Sequence, residues 1–199
     1  MESRIKVLGH PVHPMLVMFP IALFVAATIF DIIDVAGGPA FLGELAYWNI
    51  LVGLIGGVLA VLAGAVDLLA VPSGTRAKRV GVAHGATNIA VLLLFAAVWA
   101  VRLAADTRAA GGALVAIEVV AVAGASLGAW LGGEMVDRLG VGVDPEADLN
   151  APSSLRPGPP PPPPPTAPTS SDRHRIRRVT GSPGDRHRIR WVTGIGSVG

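Results

Sequence analysis

Residues Leu45 to Val66 read LAYWNILVGLIGGVLAVLAGAV, twenty-two positions without a charge, closed by Asp67. A helix rises about 1.5 Å per residue, so this stretch covers roughly 33 Å, the thickness of a bilayer's hydrocarbon core. Three more stretches flank it. Upstream, Met15 to Phe30 runs uncharged to Asp31 and Asp34, with Pro20 inside. Downstream, Val80 to Val101 has His84 as its one ionisable group, and Ala109 to Gly133 has Glu118 as its one charge. The first stretch reads as a retained span and not a cleaved signal, because Asp31, Asp34 and Pro39 stand where a small-residue cleavage site would be needed.

Composition agrees. The 199 residues are 51% hydrophobic and 15% charged, where soluble domains carry about 25% charged residues. The absence of cysteine removes disulfides, zinc–thiolate sites, iron–sulfur clusters and cysteine nucleophiles together. Charge divides the chain: residues 1–150 hold eight Lys and Arg against twelve Asp and Glu, and residues 151–199 hold eight Arg against two Asp. The expected fold class is all-α, an integral membrane four-helix bundle over residues 1–143, with spans at about 15–35, 45–70, 80–101 and 109–133.

Residues 144–199 read as a disordered tail rich in proline and arginine. The run Pro159 to Pro165 favours an extended polyproline rod, and beyond it DRHRIRRVTG at 172–181 recurs as DRHRIRWVTG at 185–194. That repeat is too short and too charged to stack as a solenoid. Its nearest anionic partner is the headgroup layer, so lipid and not nucleic acid is the expected contact.

Orientation follows from Lys and Arg near the span ends. Arg4, Lys6, Arg76, Lys78, Arg79 and Arg138 share one side, against Arg102 and Arg108 on the other. Both termini are therefore expected in the cytoplasm, with the protein in the inner or plasma membrane. This places His10, His13, Asp67 and His84 at similar depth near the cytoplasmic face, together with Glu134 and Asp137. Asp31, Asp34, Glu44 and Asn49 gather at the opposite face, and Glu118 lies a few turns in from it.

GHPVHPMLVMFPIAL at residues 9–23 resembles the opening of a bacterial family of predicted four-span membrane proteins, the domain of unknown function 2231. The likeness extends to Asp31, to the Gly-rich second span ending in Asp67, and to the helix with His84 and Asn88. It implies a fold and a membrane location, and it brings no activity with it.

Ionisable groups inside a bilayer are costly, so each is a candidate for function until it finds a structural partner. His10, His13 and His84, with Asp67, are candidate ligands for a haem or a divalent metal, and Met15 and Met18 leave copper(I) as a variant. His84, Asp67 and Glu118 could instead mark a proton or ion path, with Asp31 and Asn88 as further intramembrane polar groups. The structural alternative is an anchor or scaffold in which Asp67 pairs with Arg76 or His84, and Glu134 with Arg138. Small-residue rows, Gly53 with Gly57, Gly56-Ala60-Gly64 and Gly124-Gly128-Gly132, suit close helix packing within the bundle or in a homodimer. Trp48, Trp99 and Trp130 fall near span ends. No nucleophile elbow, phosphate loop or dinucleotide fingerprint occurs, so an enzyme is not the expected reading.

Overall fold

The computed structural model describes residues 3–105, 107–145, 147–151 and 153–155. The proline run and the arginine repeat lie outside them. A short hairpin, β1 (Lys6–Val7) and β2 (His10–Pro11), leads into four helices, α1 (Val12–Val35), α2 (Phe41–Ala70), α3 (Arg76–Leu103) and α4 (Gly112–Gly133). A π-helical turn, Glu134–Arg138, ends the last one. All four helices are long and apolar enough to cross a membrane, and the protein is a four-helix transmembrane bundle.

The N-terminal motif has a plain backbone logic. Leu8 and Gly9 take φ of 51° and 83° to turn the hairpin, a region in which glycine is unstrained. Pro11 is extended at φ −65° and ψ 131° and caps α1, which starts at Val12, ahead of the span start expected from the sequence. Pro14 then falls in the first turn, where its missing N–H removes no helical hydrogen bond. Pro20 lies buried within the continuous α1.

The bundle is apolar outside and small, aromatic or charged inside. Leu62, Leu93 and Val120 are more than half exposed, where they meet lipid, while Ala27, Ala46, Ile50, Phe95 and Ala121 are fully buried. Without a difference in polarity between lipid and core, close packing has to hold the helices, and glycines allow it. A Cβ on Gly53 would stand 2.7 Å from the Phe24 ring, and one on Gly124 would stand 3.1 Å from Val91. Gly128 meets Asn88 and Gly132 meets His84, so the Gly124-Gly128-Gly132 row is filled by α3 of the same chain.

The helices pack in a ring, α1 on α2, α2 on α3, α3 on α4 and α4 on α1. Across its centre α1 faces α3 at three levels. His13 meets His84 with ring centroids 6.1 Å apart and planes at 88°, Phe24 stacks on Phe95 at 4.0 Å and 8°, and Asp31 pairs with Arg102 at 2.6 Å. Each pair is separated by the same 71 positions in sequence. Two parallel helices in fixed register do this, because spacings of eleven and seven residues, three turns and two, return a side chain to nearly the same face. Gly53 and Gly124, and Gly57 and Gly128, keep the same offset. Only α1 and α3 keep this offset in their contacts: the positions of α2 and α4 that meet the imidazoles, Ala60 with Gly128 and Gly64 with Gly132, are 68 apart.

Candidate functional site

Two polar levels lie on that axis, about 27 Å apart from His13 to Asp31 at 1.5 Å per residue. The first is at the end of the bundle that carries the N-terminus. Nδ1 of His13 lies 2.8 Å from the Ala60 carbonyl of α2, and Nδ1 of His84 lies 2.9 Å from the Gly128 carbonyl of α4. A carbonyl oxygen only accepts, so each Nδ1 carries a proton, and in the neutral ring the lone pair is then on Nε2. Asn88 donates to the His84 carbonyl at 3.0 Å and lies 3.2 Å from His84 Nε2. Glycines clear the rings: a Cβ on Gly64 would stand 2.8 Å from His13 Cε1, and one on Gly132 would stand 3.2 Å from His84 Cε1.

The other candidates from the sequence fall elsewhere. His10 is exposed, with Nδ1 3.1 Å from the Leu8 carbonyl. Asp67 accepts from the Ser3 hydroxyl at 2.8 and 2.9 Å and from the Arg4 amide at 2.8 Å, so it pins the N-terminal segment and pairs with neither Arg76 nor His84. Glu134 pairs with Arg76 across helices, and not with Arg138 on its own turn. Among the described residues no three His, Asp or Glu side chains stand close enough to hold a metal ion. Met15 and Met18 are exposed on the outside of α1.

The second level was half visible in the sequence. Asp31 and Glu118 are both 0% exposed, and the group between them is Arg102, at 1%. Read as a loop charge, Arg102 lies inside the last turn of α3 and points inward. Its Nη1 and Nη2 donate to the two Asp31 oxygens at 2.6 and 3.1 Å, Nη2 also donates to the Gly43 carbonyl at 2.7 Å, and Nε donates to the Arg108 carbonyl at 2.8 Å. Glu118 Oε1 lies 3.5 Å from Arg102 Nη1, and neither Glu118 oxygen has a hydrogen-bond partner. A Cβ on Gly43 would stand 2.7 Å from Asp34 Oδ2 and 3.2 Å from the Ala109 Cα, so glycine suits the close packing around that carbonyl. Arg108 covers this end, its guanidinium 4.7 Å from the centroid of the Tyr47 ring and 5.0 Å from that of Trp48, with Glu44 at 3.3 Å. Trp99 stacks on Tyr47 at 5.7 Å, while Trp48 and Trp130 face outward.

One signal would have found both levels: His13, Phe24 and Asp31 are spaced like His84, Phe95 and Arg102. Residues 9–145 match a family model described as "Predicted membrane protein (DUF2231)". No curated protein and no solved structure matches the chain.

Proposed function

The chain belongs to this family of predicted membrane proteins, and from that premise we propose that it holds a haem-type iron between α1 and α3, with His13 and His84 as the two protein ligands. The observation that carries the reading is the imidazole pair on the bundle axis, each ring tied through Nδ1 to a backbone carbonyl of a different neighbouring helix. A metal-ligating histidine is oriented in this way, with its second nitrogen donating to a carbonyl or carboxylate. The donor set also separates the cofactors. A haem iron asks the protein for one or two axial ligands, whereas a structural divalent zinc asks for four, and this site brings together two.

Bound there, the group would supply one-electron chemistry. The residues of the chain would orient and tune it. Hydrogen bonds from Nδ1 to carbonyls fix the orientation of each ligand, and Gly64 and Gly132 leave room for the rings. Asn88 keeps the His84 carbonyl as a partner when its contact with Nε2 is given up. By the distribution of Lys and Arg, this end of the bundle faces the cytoplasm, as do both termini, with the tail against anionic headgroups. Self-association would have to use surfaces other than the Gly124-Gly128-Gly132 row, which α3 already covers.

The test is an absorption spectrum of the protein purified in mild detergent, taken with elemental analysis for iron, copper and zinc. A Soret band with about one iron per chain supports the reading. A colourless protein that also fails to take up added haemin, with no stoichiometric metal, leaves the anchor reading, in which the polar groups only hold the bundle together.

A further inference from the structure

The charges of the second level do not cancel. Asp31, Arg102 and Glu118 bring two acids and one base into a site with no more than 1% exposure. Arg102 has five N–H donors, and four are spent on the Arg108 carbonyl, the two Asp31 oxygens and the Gly43 carbonyl. The fifth faces Glu118 at 3.5 Å, too long for a good hydrogen bond. A buried carboxylate with no donor is among the costliest arrangements available, inside a bilayer above all. A carboxylic acid in the same place is neutral and can itself donate.

We propose that this level is a proton-binding site, in which one exchangeable proton sits on Glu118 and leaves the site uncharged. The groups around Glu118 fit a proton better than a metal cation. Arg102 of α3 stands beside it and would repel a cation, and both Asp31 oxygens of α1 already accept from that guanidinium. Asp34 of α1 adds negative charge near Asp31, and the Thr28 hydroxyl, which donates to the Phe24 carbonyl, is the other polar neighbour of Glu118. From α2 comes the Gly43 carbonyl, while Glu44 turns outward to Arg108. The Arg108 carbonyl, from the loop after α3, closes the site on the Arg102 side. The proposal does not depend on the imidazole pair.

Infrared spectroscopy of the full chain in mild detergent at neutral pH tests it. Exposed carboxyl groups are ionised there, so the site predicts a protonated C=O band of about one carboxyl per chain, shifted in heavy water and absent from Glu118→Gln. Glu118→Gln keeps the shape of a neutral acid and is expected to fold. A wild-type spectrum without that band overturns the proposal, whatever the variant does. So does a band that persists in Glu118→Gln, or one that sodium chloride removes at constant pH, which would mark a cation site.

Discussion

Replacing Arg102 with Met removes the buried positive charge beside Asp31 and little of the side-chain volume. Four hydrogen bonds go with it, and Asp31, fully buried, loses its only guanidinium. Removing one partner of a buried ion pair costs about 3–5 kcal/mol, because the other charge remains in a medium that cannot solvate it. The orphaned Gly43 carbonyl pushes the total to the upper end. A chain of this size loses about 2–4 °C of melting temperature per kcal/mol, so Arg102→Met should melt roughly 6–20 °C below the wild type. Thermal unfolding in detergent, followed by circular dichroism and by retention of the monodisperse peak, reads this directly. The triple variant Asp31→Asn, Arg102→Met, Glu118→Gln removes every charge of the site and should recover most of the loss. An Arg102→Met protein melting within about 2 °C of wild type would refute the burial and pairing on which the magnitude rests.

The glycines make a paired prediction. Gly53→Ala forces a Cβ to within 2.7 Å of the Phe24 ring and should cost about 1–3 kcal/mol by overpacking, whereas Gly85→Ala, with nothing within 4 Å, should be neutral or gain up to about 1 kcal/mol; the same melting assay separates them. Asp67→Ala should free the N-terminal segment held through Ser3 and Arg4. Losing hydrogen bonds to a charged group, about 1.5–3 kcal/mol, corresponds to roughly ten-fold or more faster trypsin cleavage at Arg4 and Lys6, with little change in overall melting. Arg108→Ala removes an exposed cation from Tyr47 and Trp48 and should shift tryptophan emission while costing under about 1 kcal/mol.

The four helices were legible because a span leaves a long uncharged run, and nothing soluble needs four of them in 133 residues. Asp31, His84 and Glu118 stood out for the same reason: a charge is conspicuous in an apolar stretch. What that logic missed is partnership. Arg102 sits at a span end, where positive charge is usual, so counting it toward orientation hid its turn inward to Asp31. His13 and His84 were recognised for their chemistry, but Asp67 looked equally apt until the N-terminal segment folded back over it. Helix register decides which side chains face one another, and a single span does not reveal register. It is readable only by setting the two halves of the chain against each other at 71 residues. Glu134 shows the limit of local spacing, since Arg138 is in reach along the turn and the cross-helix Arg76 is the partner.

Haemin titration of four single variants tests whether His13 and His84 act together as one ligand pair. Saturation at one haem per chain is expected in the wild type, in His10→Ala and in Asp67→Ala, with the same Soret band in each. Loss of that band is expected in both His13→Ala and His84→Ala. Equal uptake by all four variants, or a loss confined to His10→Ala, would rule the pair out.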